Sequence, residues 1–239
     1  MIRRHPVWVA FVLFALVFSL FPSVDVWIAG LAWNEVEQSF IRDIAWINGL
    51  YSAFQGVLGY FLLVYGLALL LPWWLANWQI RQAARGAPSI LLPAVNDSRL
   101  VRWLRRHQKD IWYMLVVLII GAVVIEVLMK GFWGRPRPHQ IIEFGGSLNF
   151  VPFLQVSDVC SRNCSFASGH AGIGFYFMAL AWPMRKAIWL VPGIILGGLL
   201  AYVRIAMGGH FFTDVITSGF VIFAICWLLG HLFYQRSFN

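Results

Sequence analysis

Six stretches of this chain, near 7–27, 53–78, 111–130, 169–184, 187–205 and 213–234, are apolar over the length of a membrane-crossing helix. A hydrocarbon core of about 30 Å takes roughly 20 helical residues, and no water is present there to satisfy a backbone amide left outside a helix. The expectation is an all-α integral membrane bundle of six transmembrane helices, forming one domain over 1–239. Composition argues the same way, since 60% hydrophobic and 12% charged residues is too apolar for an ordinary soluble domain. Arg185 and Lys186 alone separate the fourth run from the fifth, which predicts a tight antiparallel pair.

A net charge of +8 would suit nucleic acid if it were gathered on one solvent face, but its distribution gives another reading. With the N-terminus inside, twelve of the eighteen Lys and Arg fall in cytoplasmic segments: Arg3, Arg4, Arg81, Arg85, Arg99, Arg102, Arg105, Arg106, Lys109, Arg185, Lys186 and Arg236. This follows the positive-inside rule and places both termini in the cytoplasm. The basic 79–110 segment is then a cytoplasmic loop and not a nucleic-acid surface. Arg3 and Arg4 could open a signal peptide, but no small-x-small cleavage site follows the first run, which therefore reads as a retained helix.

Of the long connections, 28–52, 79–110 and 131–168, only the last combines glycine, proline, histidine, arginine and cysteine. Three short segments then place ionisable groups at the outer ends of apolar runs, where charge is expensive to keep. They are Lys130 through Arg135-Pro136-Arg137-Pro138, Ala167-Ser168-Gly169-His170, and Arg204 through His210 to Asp214. The topology brings all three to one side. Lys130, Arg137 and Arg204 supply fixed positive charge, and guanidinium forks match phosphate oxygens. Ser168 and the amides near Gly169, at a helix start, add donors for an anion.

Two histidines supply reactive groups. His210 and Asp214 lie four apart, so on a helix they share a face and the carboxylate can accept the imidazole N–H. That bond leaves the other ring nitrogen as a nucleophile, and His170 is free to protonate a leaving oxygen and then activate water. The remaining outer acids, Asp25, Glu35, Glu37, Asp43, Glu143 and Asp158, are scattered, so neither a metal site nor another cofactor is expected.

Together the three segments resemble the type 2 phosphatidic acid phosphatase (PAP2) superfamily, whose motifs run K-x6-R-P, P-S-G-H and S-R-x5-H-x3-D. Lys130-x6-Arg137-Pro138, Ser168-Gly169-His170 and Arg204-x5-His210-x3-Asp214 match in order and spacing. The resemblance covers about 130–214 and implies a core shared with the haloperoxidases. It also implies that Lys130, Arg137, Ser168, Gly169 and Arg204 bind phosphate, that His210 attacks it, that His170 is the acid and that Asp214 supports His210. Ala167 and Val203 depart from the pattern, standing where proline and serine are usual. The activity implied is hydrolysis of a lipid phosphomonoester or diphosphate on the periplasmic face of a bacterial inner membrane, through a phosphohistidine. Asn163-Cys164-Ser165-Phe166 is similar to a segment of some bacterial lipid A phosphatases, which favours that substrate over undecaprenyl diphosphate or phosphatidylglycerol phosphate.

A soluble haloperoxidase would not carry six spans, and a transporter or anion channel without hydrolysis would be expected to show repeat symmetry or broken-helix pairs. Arg135 and His139 are open between substrate contact and a solvated loop. Glu126, one turn before Lys130 inside an apolar helix, pairs either with that lysine or with another buried group. Cys160 and Cys164 are a candidate disulfide of an outer loop, and Cys226 reads as a packed thiol. Trp27, Trp33, Trp73, Trp74 and Trp112 read as interfacial anchors.

Overall fold

A computed structural model of the chain describes residues 6–41, 44–85 and 98–235. Arg3, Arg4 and Arg236, used above to assign membrane sides, and Asp43, counted among the outer acids, lie outside the described residues. The order is α1 (Pro6–Leu20), α2 (Ser23–Gly30), a hairpin of β1 (Trp33–Asn34) and β2 (Ser39–Phe40), α3 (Ala45–Gln55), α4 (Val57–Ala84) and α5 (Arg99–Arg106). Next comes α6 (Gln108–Ala122), which runs on through a π-helical stretch, Val123–Met129, to a last turn at Lys130–Trp133. The outer loop leads to α7 (Gly169–Phe175), then to a 3-10 stretch, Tyr176–Leu180, and a turn at Ala181–Met184. The chain closes with α8 (Val191–Ala206) and α9 (Phe212–Tyr234).

The all-α expectation holds, and the count of six spans is met only in part by single long helices. Four described helical segments are long and apolar enough to cross a membrane: Ala45–Arg81, Gln108–Gln140, Ala187–Ala206 and Phe212–Tyr234. A fifth is obtained only if α1 and α2, which meet at 90°, count as one. Pro22, at the N-cap of α2, lacks an amide hydrogen and cannot continue α1, so the run at 7–27 is broken. The run at 169–184 is divided by the 3-10 stretch Tyr176–Leu180, so no single long α-helix occupies it. Its residues are packed inside the bundle: Ala171, Phe175, Tyr176, Met178, Ala179, Ala181 and Trp182 are all buried. The second run begins earlier than 53, because α3 adds a helical stretch where the sequence suggests a connection.

Close backbone approach joins α7 to α8. A Cβ on Gly174 would stand 2.7 Å from the Gly197 backbone, and one on Gly193 would stand 2.2 Å from the Met178 amide nitrogen. Contacts of this kind carry helix association in lipid, where burial of apolar surface supplies little drive. Two tyrosine hydroxyls inside the bundle are paired. The Tyr113 hydroxyl donates to the Cys226 carbonyl at 3.1 Å, and the Tyr176 hydroxyl donates to Tyr65 at 2.7 Å. Cys226 is a buried free thiol. Trp27, Trp73, Trp74 and Trp112 are exposed, whereas Trp33 is half-buried. It packs on Phe40 and Phe144, with ring centroids 5.1 and 5.6 Å away, and so joins the hairpin to the outer loop.

Candidate active site

The outer loop is folded by its backbone. Gly134 takes φ +58, and a Cβ there would collide with the Ser157 carbonyl, so glycine alone fits this turn. The Gly134 carbonyl accepts from the Ser157 hydroxyl at 2.8 Å and from the Cys160 amide at 3.0 Å. The Ser165 amide donates to the Arg135 carbonyl at 2.7 Å. Cys160 and Cys164 form a disulfide with Cα atoms 5.8 Å apart. His139 is not a solvated loop residue, because its Nδ1 lies 2.8 Å from the Gly208 carbonyl, tying the loop to the α8–α9 turn.

His210 lies in that turn and is fully buried. Its Nδ1 is 2.7 Å from the Ser165 carbonyl. A carbonyl only accepts, so Nδ1 carries the proton and Nε2 keeps its lone pair. The direct bond from His210 to Asp214 anticipated above does not form, since the Asp214 carboxylate is 3.9 Å from Nδ1. The connection runs through Ser165, whose hydroxyl donates to Asp214 while its carbonyl receives His210. Asp214 also accepts the Phe211 amide at 2.8 Å, closing the start of α9. Burial, followed by the charges of Arg204, Arg137 and Lys130, pushes protonation of His210 well below its ordinary range; the Ser165 bond opposes this without prevailing.

Arg135 answers neither expectation offered for it. It is completely buried, neither in solvent nor facing a ligand. Its Nη1 donates to Asp214 at 2.6 Å and to Thr213 at 2.7 Å, its Nη2 to Asp25 at 2.8 Å, and its Nε to the Val151 carbonyl at 2.8 Å. The guanidinium also packs on the Phe211 ring, 4.4 Å from its centroid. Asp25, counted among scattered outer acids, is a fully buried member of this network and accepts the Thr213 amide and hydroxyl. The bend at Pro22 explains the difference, because it turns α2 inward and carries the carboxylate to the base of the site.

Above this network the predicted groups converge. Lys130, Arg137 and Arg204 act electrostatically on both His210 and His170. Glu126 pairs with Lys130 at 2.7 and 2.8 Å across the π-helical stretch. Arg137 donates from Nε to the Asn163 carbonyl at 2.9 Å and from Nη2 to the Asn163 Oδ1 at 2.6 Å. Ser168 is buried and caps α7, its hydroxyl accepting the Ala171 amide at 3.4 Å, while its own amide donates to the Ser218 hydroxyl at 2.9 Å. Gly169 lets the Glu126 carboxylate lie close over the start of α7, since a Cβ there would displace it. The two departures from the family pattern, Ala167 and Val203, are both buried, and Val203 packs with Ile47 of α3. His170 presents a buried Nε2 with no hydrogen-bond partner among the described residues. A cavity of about 310 Å³ leads away from it, lined by Phe54, Leu58, Val117, Ile125, Tyr176 and Ile222, with Glu126 and Gly169 also in its wall. No group of three or more His, Cys, Asp or Glu suited to a metal occurs among the described residues.

Ser165, Asn163, Asp25 and Tyr51 carry geometry that the motif spacing does not announce. Asp25 left a signal as a carboxylate inside an apolar run, and Asn163 and Ser165 lie in the one loop segment singled out by resemblance, whereas Tyr51 left none.

Residues 110–238 match the sequence profile of the PAP2 superfamily. A protein of Francisella tularensis subsp. novicida named lipid A 4'-phosphatase is 28% identical over 92% of this chain and 90% of its own length. A protein of the same name from Rhizobium etli is 38% identical over 117 residues, 46% of each chain. One from Rhizobium leguminosarum is 36% identical over 46% of this chain and 50% of its own. No solved structure matches the chain.

Proposed function

The chain belongs to the PAP2 superfamily and is a bacterial membrane lipid phosphatase, and we propose that it removes a phosphate from lipid A on the periplasmic face, without a metal, through a phosphohistidine. The observation that carries this reading is His210. Its Nδ1 is committed to the Ser165 carbonyl, and its remaining nitrogen keeps a lone pair beside Lys130, Arg137 and Arg204.

In this reading the three cations hold the phosphate oxygens, with Ser168 and Gly169 closing the cradle. His210 Nε2 attacks phosphorus, the bond to the lipid oxygen breaks, and His170, held as an imidazolium once the phosphate dianion offsets the neighbouring cations, gives its Nε2 proton to that oxygen. The phosphorylated imidazole is cationic while Nδ1 keeps its hydrogen. Asp25, Arg135 and Asp214 sum to one negative charge below it and oppose that build-up, a fixed electrostatic contribution of the kind that dominates phosphoryl transfer. His170, now neutral, takes a proton from water, the water oxygen attacks phosphorus, and the bond to His210 breaks to release inorganic phosphate. The apolar cavity beside His170 supports an amphiphilic substrate, since it can shelter part of a chain next to the reacting group.

The test is phosphate release by the purified protein in detergent, without added metal, from a panel of lipid phosphates that includes lipid A, beside the His210→Ala variant. Release from lipid A by the wild type alone is expected, unchanged by EDTA. Activity that survives His210→Ala would refute the nucleophile, and loss on chelation would refute the metal-free route.

A further inference from the structure

We infer that Tyr51, in α3, is the positioning residue of the acid histidine, its ring holding the His170 imidazole turned toward the phosphate site. The inference rests on the reading of His170 as proton donor. The Tyr51 and His170 ring centroids are 4.8 Å apart with 24° between their planes, an offset stack. The Arg204 guanidinium carbon lies 4.9 Å from the centroid of the same Tyr51 ring, a cation–π contact that fixes the ring from a second direction. One phenol thus ties the candidate acid to a candidate phosphate ligand.

The two histidines need different supports. His210 is oriented by its hydrogen bond to Ser165. His170 Nε2 has no such partner among the described residues, as a nitrogen reserved for a leaving oxygen requires, so the ring plane must be held by its face. Tyr51 contacts that face. It belongs to a helix outside the segment that matches the family profile, and Ile47, one turn earlier, locks the helix against Val203 of α8. Val203 is one of the two departures from the family pattern, so the substitution and the Tyr51 contact share a single interface.

Leaving-group chemistry tests this. A lipid alkoxide needs its proton from His170, whereas a nitrophenolate departs without one. The ratio kcat/KM reports events up to departure of the leaving group, so it excludes the later water step. It is measured on the lipid phosphate released above and on a nitrophenyl phosphate bearing an alkyl chain, for wild type, His170→Ala, Tyr51→Leu and Tyr51→Phe. Misorienting an acid commonly costs tenfold or more, so Tyr51→Leu is expected to lose about tenfold on the lipid and under about threefold on the aryl ester. Tyr51→Phe, which keeps the ring, should stay within about twofold of wild type on both. Should Tyr51→Leu not purify folded, Tyr51→Met is read in its place.

Equal losses on both substrates, or a Phe variant as impaired as Leu, would overturn the positioning role while leaving His170 as the acid. A His170→Ala variant that shows no preference for the aryl ester would overturn the acid assignment and this inference together.

Discussion

Arg135 and Arg137 stand two residues apart, each followed by proline, and the structure gives them opposite work. Arg135 spends its donors on Asp25, Asp214, Thr213 and the Val151 carbonyl inside a fully buried network. Arg137 spends two of its five N–H groups on Asn163, which leaves three for a ligand. A guanidinium becomes structural when its partners are already in place. It becomes functional when one edge is anchored and the other is left open.

The sharpest way to break this comparison is to remove each side chain in turn. Arg135→Ala leaves Asp25 and Asp214 buried without their cation, which costs about 3–5 kcal/mol. The expected result is loss of monodisperse folded protein on size exclusion in detergent. Arg135→Lys should not rescue it, because one ammonium cannot span all the acceptors of a planar fork. A well-folded Arg135→Ala protein with a selective loss of turnover would place Arg135 in the catalytic cradle after all. Arg137→Ala should fold and melt like the wild type while losing roughly 100-fold or more in kcat/KM, the scale of one lost donor to a transition-state oxyanion.

A smaller effect is expected at the anchor. Asn163 adopts φ +54, so glycine can replace it without backbone strain while removing the side chain that holds Arg137. Asn163→Gly should raise KM severalfold with a lesser change in kcat, on the order of one charge-assisted hydrogen bond. Cys160→Ser with Cys164→Ser should move in the same direction, because Asn163 sits within the loop that the disulfide closes. An unchanged KM in both would show that Arg137 needs no anchor.

The sequence made the cradle legible because Lys130, Arg137, His170, Arg204 and His210 lie within one stretch of fixed spacings at helix ends. It concealed the base of the site because Asp25 is 188 residues from Thr213, and no spacing rule spans that distance. A carboxylate in an apolar run was a visible anomaly, but its partner could be found only once Pro22 was known to turn α2 inward. The choice between Arg135 and Arg137 as phosphate ligand followed the gap from Lys130, and the structure supplies the reason, since Arg135 has no free edge. The run at 169–184 is ambiguous in sequence for a related cause. Apolar composition registers burial, and a helix buried in protein reads like one buried in lipid.

The smallest expected effect concerns pH, and it separates His210 from an ordinary imidazole. Burial and three neighbouring cations depress its protonation in the folded protein, whereas the unfolded chain protonates near the usual 6.5. Between those two values the unfolded state binds a proton that the folded state refuses, so this group costs the fold stability as pH drops below 6.5, and nothing above it. The nucleophile meanwhile stays neutral. The acid limb of the kcat/KM profile set by His210 should therefore lie well below pH 6.5, with thermal stability declining across a range where turnover is still maintained. A limb centred near 6.5, with turnover falling before stability does, would show instead that solvent reaches the His210 imidazole and that the cations do not bear on it.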